Sequence, residues 1–363
     1  MVRQLVQVSC SLNYSIGGPV QVVENAYPFL KNHLNCQLIV FGSSEVTHLD
    51  FTTEATFLNN QNGFRFRPPK KVTRDVLRNS KYLLIHGFYT YATLVALFYS
   101  KAHEVFVMPH GSLQDSVSET SPIKKKIFRV IFLKLLSKRK LHFLVASEAE
   151  AKQIHLDEIV FDVSVVGIGV PHNRNFLPRK KHISTSPIVM LCMSRIDEIK
   201  RIDLCIKALA ILIQEDLNYE LRIYGDGPSI LKKRLRNLCR TLGIESSVKF
   251  MGHVNNRDKE EAFGEAHVLL LPSGGENFAI AVAEAITSLT PVIVSKFVAM
   301  HQFVDAHKAG ITIQQLSAVQ LAAAIRKVIS NYDNYVNSCE ACAPLLAWEK
   351  VIENWIGAFN EPH

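Results

Sequence analysis

The segment SGGENFAIAVAEAITSLTPVIVSKF, residues 273–297, joins a glycine pair to an apolar run that carries two glutamates, Glu276 and Glu284. An apolar run of this length after a glycine turn predicts a helix that begins close to Asn277–Phe278 and packs on a sheet. Because helical side chains lean toward the N-terminus, Glu284 is predicted to point back toward Glu276 at the start of the helix. A carboxylate among Ala, Ile and Val must be paired or must face a polar cleft. The segment therefore predicts a polar site at a helix N-terminus.

The start of this helix is also a candidate anion site. The amides of Phe278, Ala279 and Ile280, next to Asn277, are predicted to lack helical partners and to carry the positive end of the helix dipole. Two further motifs, at residues 14–20 and 193–203, could bind phosphate. YSIGGPV, residues 14–20, places Gly17 and Gly18 between a strand and a helix, where the backbone can approach an anion. A plain tight turn is the alternative for this pair.

Two cations follow another predicted strand. MSRIDEIKRID, residues 193–203, places Arg195 just past the strand and Lys200 five residues later. Arginine as a planar fork and lysine as a point charge could together neutralise a diphosphate. A solvated charged loop is the alternative, since two acids lie between the cations.

Strand-like apolar runs alternate with amphipathic stretches along the whole chain, which is typical of parallel sheets with crossover helices. The runs are RQLVQVSC, CQLIVFG, KYLLIHG, HEVFVMPHG and LHFLVASE, then SPIVMLCMSR, YELRIYGDGP, SVKFMGHV, AHVLLLPSGG and TPVIVSKF. At 363 residues the chain is too long for one core. We therefore predict an α/β protein of two doubly wound, Rossmann-like domains that face each other across a cleft. The predicted boundaries are 1–170, a linker at 171–185, 186–343, and a C-terminal helix at 344–363 that packs back on the first domain.

Composition points to a cytoplasmic protein. No apolar stretch approaches the roughly 18–20 residues that span a bilayer, and the first apolar run is too short for a signal peptide. Seven cysteines at irregular spacings suit a reducing compartment. Cys339 and Cys342 form a C-x-x-C motif without a second Cys or His pair nearby, so we predict thiols and no metal site.

Taken together, these motifs resemble the retaining glycosyltransferases of the GT-B fold, in particular glycosyltransferase family 4. The most specific match is E-x7-E, here Glu276-NFAIAVA-Glu284, and R-x4-K is present as SRIDEIK. GDGP, KFMGHV and the N-terminal glycine pair add support, and the resemblance covers essentially the whole chain.

The resemblance implies roles for the charged residues. Glu276 would hydrogen-bond the donor sugar, Glu284 would hold the ribose of the nucleotide, and Arg195 and Lys200 would stabilise the departing diphosphate. No D-x-D motif occurs in the sequence, so neither a metal nor another cofactor is expected.

The resemblance also implies roles for uncharged groups. Amides at Gly18 and at 278–280 would help to hold the phosphates. Residues of the motif MGHV would line the base, namely Gly252, His253 and Val254. A histidine after a strand of the first domain would lie near the reacting sugar; His110 in VMPHGSL is the match, with His86 in IHGFY as a second candidate.

Four positions depart from the family pattern. Arg201 stands where glycine often follows the lysine of R-x4-K, Asn277 and Ala279 stand where E-G-F-G has its two glycines, and Leu289 replaces a small residue before TPVI. None of these departures removes a charged group, so a catalytic protein is still predicted.

A basic segment suggests a membrane partner. Residues 1–170 carry +6 of the net charge of +8, and eight Lys or Arg and no acid lie between Lys124 and Lys140. Six apolar residues are predicted to form one helical stripe there: Ile127, Phe128, Ile131, Phe132, Leu135 and Leu136. Such a helix can lie on an anionic membrane, or it can simply cover the sheet of its own domain. No recognition motif supports nucleic acid as the partner.

The predicted function is a retaining, metal-independent hexosyl transfer from a UDP- or GDP-sugar to a glycan or lipid-linked acceptor, as in polysaccharide biosynthesis. The predicted location is cytoplasmic, peripheral at the inner face of the membrane. Two alternatives stay open: a GT-B-like sugar-nucleotide epimerase, and a non-catalytic homologue that binds sugar-nucleotide or membrane.

Overall fold

The structure, a computed structural model, describes residues 4–11, 18–42, 56–57, 69–113, 122–136, 138–156, 159–171, 187–214, 218–254 and 256–360. Gly17 and all but the first residue of the predicted linker lie outside these ranges. The chain divides into two compact units. Unit 1 comprises Met1–Gly169 with Trp348–His363, and unit 2 comprises Val170–Ala347.

Unit 1 is built on a parallel sheet that has seven strands in the described residues, in the order β3-β2-β1-β4-β5-β6-β7. They are β1 Leu5–Ser9, β2 Gln37–Val40, β3 Thr56–Phe57, β4 Tyr82–His86, β5 Glu104–Met108, β6 Lys140–Val145 and β7 Asp162–Val165. The central strands are mostly apolar because helices cover both faces of a parallel sheet, although buried polar residues such as Gln7 in β1 and His86 in β4 interrupt them. The strand order reverses between β1 and β4, and ligands usually bind at the carboxyl ends of the strands near such a point.

The helices of unit 1 end with the C-terminal helix of the chain. They are α1 Gly18–Leu34, α2 Lys71–Asn79, α3 Tyr91–Tyr99, α4 Pro122–Leu136, α5 Glu148–Ala151 and α13 Trp348–Asn360. Trp355 in α13 is fully buried and donates from Nε1 to the carbonyl of Gly167 at 3.1 Å. Trp348 stacks on Phe29 of α1, and Phe359 contacts Phe106 of β5 edge to face. These aromatic side chains attach α13 to unit 1.

Unit 2 repeats the architecture with a six-stranded parallel sheet in the order β10-β9-β8-β11-β12-β13. Its strands are β8 Ile188–Met193, β9 Tyr219–Tyr224, β10 Val248–Gly252, β11 Val268–Leu271, β12 Val292–Ser295 and β13 Gly310–Ile313. Its α-helices are α6 Ile202–Leu212, α7 Ser229–Leu242, α8 Asn256–Glu265, α9 Ile280–Thr287, α10 His301–His307, α11 Ala318–Ser330 and α12 Tyr332–Cys342. Short 3₁₀ helices lie at Glu198–Lys200, Glu245–Ser247 and Ala343–Leu346. The two parallel sheets with covering helices confirm the predicted α/β class.

The basic helix α4 differs from the single apolar stripe predicted for it. Phe132 and Leu136 are buried in the core of unit 1, and Phe128 and Leu135 pack against that core. Four other apolar side chains are exposed instead: Ile123, Ile127, Val130 and Ile131. The predicted stripe is therefore divided between a face that packs on the core of unit 1 and a face that is exposed. Within the described part of the chain, no helix combines the length and apolar character needed to cross a membrane.

Candidate functional site

The carbonyl of Ile199 joins two loops at the carboxyl edge of the unit 2 sheet. It accepts hydrogen bonds from the amide of Gly274 at 2.7 Å and from the hydroxyl of Ser273 at 3.1 Å. A Cβ on Gly275 would lie 3.4 Å from the Ile199 side chain, an ordinary van der Waals contact, so the hydrogen bonds to Ile199 and not this glycine fix the approach of the loops. The loop after β8 is thereby fixed against the loop after β11, which brings Lys200 beside Glu276.

Lys200 and Glu276 form an ion pair between Nζ and Oε1, and only 12% and 15% of their side chains are exposed. The backbone of Glu276 is held on both sides. Its amide donates to the carbonyl of Phe297 at 3.1 Å, and its carbonyl accepts from the amide of Ala299 at 3.1 Å. The lysine of R-x4-K and the first glutamate of E-x7-E are therefore in direct contact. Hydrogen bonds on both sides of Glu276 hold its backbone in place.

Glu284 pairs with a residue that the sequence analysis missed. Lys259 of α8 contacts Glu284 Oε1 through Nζ, and the two side chains are 15% and 16% exposed. The other carboxylate oxygen, Oε2, is buried and has no hydrogen-bond partner among the described residues. The acid in the apolar run already implied a partner, but no spacing rule singles out a lysine 25 residues earlier.

The helix α9 begins at Ile280, later than predicted, because Ala279 adopts a left-handed backbone with φ of 72°. This conformation turns the chain just before the first helical residue. Within the described residues, the amides of Phe278, Ala279 and Ile280 have no acceptor. Phe278 is buried, whereas Asn277 is partly exposed at the same turn. The predicted set of free amides at a helix N-terminus is thus present.

Three of the four departures from the family pattern share one backbone property, which Asn277 does not have. Arg201, Ala279 and Leu289 have φ values of 53°, 72° and 55°, all in the left-handed region that favours glycine. A side chain there costs roughly 1 kcal/mol in the folded state. The small residues of the family pattern at these positions are therefore explained by the backbone, and the departures leave the charged groups in place.

Arg195 lies in a segment that the GDGP turn supports. The amide of Ile196 donates to the carbonyl of Asp226 at 2.8 Å. A Cβ on Gly227 would lie 2.1 Å from the carbonyl oxygen of Ile196, so only glycine fits there. Arg195 itself is exposed and forms no ion pair within the described chain. No contact joins it to Lys200, so the structure does not bring these two predicted cations together directly.

The residues predicted to line the base lie at the end of β10. Gly252 has φ of 77°, and its carbonyl accepts from the amide of Gly225 at 2.7 Å. His253 is exposed and Val254 is partly exposed. These residues are accessible at the same carboxyl edge as the loops described above, and their role stays a prediction.

In unit 1, Gly18 is the first residue of α1. His110 follows β5, and its Nε2 lies 2.9 Å from Nδ1 of His86 at the end of β4. Burial lowers the pKa of His110 to about 4 and, together with the charge of His110, lowers the pKa of His86 well below its usual value. Both histidine candidates are therefore in contact and neutral at pH 7.

The edge of unit 2 can bind an anion. Each glutamate is balanced by one lysine, so Arg195 and the free amides remain as additional positive groups. A diphosphate at the α9 N-terminus would meet these amides, and the unpartnered Glu284 oxygen could accept from a hydroxyl.

The chain is similar to known glycosyltransferases in sequence and in fold. Residues 173–343 match the family model of glycosyl transferases group 1. The chain is 25% identical over 197 residues to a D-inositol 3-phosphate glycosyltransferase of Geodermatophilus obscurus, covering 52% of this chain and 44% of that protein. It is 26% identical over 192 residues to a GDP-mannose-dependent alpha-(1-6)-phosphatidylinositol dimannoside mannosyltransferase of Mycobacterium tuberculosis, covering 52% and 48%. The chain thus spans about half the length of these curated relatives.

The fold has a solved counterpart along nearly its full length. HepE of Anabaena, in complex with UDP-glucose, superposes with a TM-score of 0.73 at 16% identity, covering 98% of this chain and 99% of that one. At this identity the likeness establishes the fold alone. The chain therefore has the GT-B fold, and its residues 173–343 match the family model of glycosyl transferases group 1.

Proposed function

We propose that the chain transfers a hexosyl group from a nucleotide-sugar to a glycan or lipid-linked acceptor, with retention of configuration and without a metal. The observation that carries this proposal is the contact between Lys200 and Glu276 beside the free amides of α9. It unites a cation for the leaving group and a carboxylate for the sugar within the group 1 domain.

Charge development supports these roles. Loss of a nucleoside diphosphate builds negative charge on the β-phosphate, which fixed donors stabilise without rearranging. Arg195, Lys200 and the amides of 278–280 supply that positive charge, so no metal is required for it. Glu276, clamped through its backbone, would accept hydrogen bonds from sugar hydroxyls. Glu284 would accept from the ribose through its unpartnered Oε2.

Retention would follow from attack by the acceptor on the face that the diphosphate leaves. The departing phosphate would then take the proton of the acceptor hydroxyl, so no covalent nucleophile is needed. The relatives keep both bases open, since the mycobacterial mannosyltransferase is described as GDP-mannose-dependent and HepE is complexed with UDP-glucose.

The test is a panel of UDP- and GDP-sugars, assayed for binding and for release of nucleoside diphosphate, with and without EDTA. We expect one donor to bind and to be hydrolysed slowly without acceptor, at a rate that EDTA does not change. The anomeric configuration of the transferred sugar, read by NMR, tests retention. Release of an epimerised sugar would instead establish the epimerase, and binding without turnover would establish a non-catalytic protein.

Variants test the site itself. Glu276→Gln should lower turnover by about 100-fold or more, because a neutral amide accepts sugar hydroxyls weakly and leaves Lys200 unpaired. Glu353→Gln, at an exposed glutamate of α13, is the matched control and should have no effect. An unchanged rate in Glu276→Gln would remove this assignment.

We also propose peripheral contact of α4 with an anionic membrane on the cytoplasmic side. Its exposed face combines apolar side chains with lysines, including Ile127 and Val130 beside Lys126 and Lys134. Apolar burial and attraction to acidic lipids would act together on such a face.

Vesicle sedimentation at low salt tests the contact. Vesicles with anionic lipid should bind the protein, and neutral vesicles should not. Ile127→Gln with Val130→Gln should weaken binding several-fold, whereas Ile230→Gln, at an exposed apolar residue of α7, should not. Equal binding of both variants, or none by the native protein, would contradict the proposal.

A further inference from the structure

Three polar side chains form a hydrogen-bonded chain through the sheet of unit 1. Nε2 of Gln7 in β1 lies 2.9 Å from Nε2 of His86 in β4. Nδ1 of His86 lies 2.9 Å from Nε2 of His110, which follows β5. Gln7 and His86 are buried, and His110 is partly exposed at the carboxyl edge of the sheet. The Gln7–His86–His110 chain thus runs from the core to the surface.

The donor and acceptor in each of these hydrogen bonds follow from the side-chain amide of Gln7. An amide nitrogen can only donate, so Nε2 of His86 must accept from Gln7. A neutral His86 then carries its proton on Nδ1 and donates it to Nε2 of His110. A neutral His110 must in turn carry its proton on Nδ1. The orientation of Gln7 is supported by Cys36, whose thiol donates to Oε1 of Gln7 at 3.8 Å.

The environment keeps both imidazoles neutral. Burial lowers the pKa of His110 to about 4. Burial, and to a smaller extent the neighbouring His110, lowers the pKa of His86 well below its usual value. The two rings stack with centroids 5.2 Å apart, and His86 also faces Trp355 of α13.

The backbone of His110 is constrained as well. Its φ is 52°, and Gly111 follows with φ of 78°. The buried carboxylate of Glu150 accepts from the amide of Gly111 at 2.7 Å and from the amide of Ala146 at 2.9 Å. A left-handed histidine is uncommon, and such strained residues cluster at functional sites. The Nδ1–H of His110 has no acceptor within the described residues.

We propose that Gln7 and His86 are positioning residues that hold His110 as a neutral imidazole with its proton on Nδ1. His110 then presents a fixed hydrogen-bond donor to a substrate oxygen. It cannot act as a general base, because its Nε2 lone pair is occupied by His86. The hydrogen bond from His110 to substrate rests on the proposed function, whereas the tautomers of His86 and His110 follow from contacts within unit 1.

The first experiment is long-range ¹H–¹⁵N correlation NMR of the full chain with ¹⁵N-labelled histidine, at pH 7. Both His86 and His110 should show the Nδ1–H tautomer. His142→Phe, which replaces a buried histidine outside this chain of bonds, serves for assignment and should leave both signals unchanged. An Nε2–H tautomer or an imidazolium at His110 would overturn the proposal in the native protein, whatever the variants do.

The second experiment uses Gln7→Leu, which removes the donor to His86. His110 should then populate both tautomers, and kcat should fall several-fold while KM for the donor sugar changes little. A single Nδ1–H signal in this variant would show that Gln7 does not set the tautomer. Absence of transfer by the native protein would instead refute the proposed function and leave the NMR result standing.

Discussion

Replacing Lys259 by methionine should destabilise unit 2 strongly, because it leaves the Glu284 carboxylate without its cation. The pair is about five-sixths buried, and one carboxylate oxygen already lacks a partner in the described chain. Breaking a fully buried ion pair costs roughly 3–5 kcal/mol. Residual exposure of both side chains reduces this, so we expect about 2–3 kcal/mol for Lys259→Met. Methionine keeps most of the apolar stem, which limits the packing loss.

The assay is urea unfolding at pH 7, followed by far-UV circular dichroism of the whole chain and by tryptophan fluorescence. Both tryptophans, Trp348 and Trp355, belong to unit 1, so fluorescence reports that unit. The loss should therefore appear in the dichroism. The double variant Lys259→Met with Glu284→Leu should recover most of the stability, since an apolar pair replaces the ion pair.

The control is Lys350→Met in α13, whose ion pair with Glu353 is 58% and 61% exposed. An exposed pair at this spacing contributes only about 0.3 kcal/mol. If Lys259→Met cost no more than Lys350→Met, the inference that Lys259 neutralises a buried Glu284 would be wrong.

Three further outcomes are expected from unfolding measurements. Ala279→Gly should stabilise the protein by about 0.5 kcal/mol, because glycine adopts the left-handed backbone without strain. Ala283→Gly inside α9 should instead destabilise it by about 1 kcal/mol. If both variants changed the free energy of unfolding in the same direction, the inferred strain at Ala279 would be contradicted. Gly227→Ala should cost about 2–3 kcal/mol because its Cβ would meet the carbonyl of Ile196, and a neutral effect would refute that contact. His110 has a pKa of about 4 in the folded state and binds protons near pH 6.5 when unfolded, so stability should fall by about 2 kcal/mol between pH 7 and 4.5. In His110→Asn, the fall in stability between pH 7 and 4.5 should be smaller by about 2 kcal/mol.

Most of the strands could be predicted from the pattern of apolar runs in the sequence. All ten apolar runs correspond to strands, because strands of a parallel sheet covered by helices are mostly apolar. The pattern missed β3, β7 and β13, which are three of the four edge strands, and it found the fourth, β10. Edge strands are short and half solvated, so they carry polar residues and lack a distinctive run; DVSV in β7 is the example.

The candidate site divides in the same way. The charged residues of E-x7-E and R-x4-K could be named from their spacing and from the family resemblance. The partner of Glu284, Lys259, could not, because it comes from a helix separated from Glu284 by a buried strand. The left-handed turn at Ala279 was also hidden, because alanine carries no signal for that conformation.

By itself, the sequence determined the α/β class, the strands of both sheet interiors and the residue types of the candidate site, because periodicity and motif spacing are local properties of the chain. Only the tertiary structure decided which charges meet: Lys200 with Glu276, Lys259 with Glu284, and Gln7 with His86 and His110. Those contacts join residues distant in sequence, and hydrogen bonds and ion pairs depend on distances that only the packing of strands and helices sets.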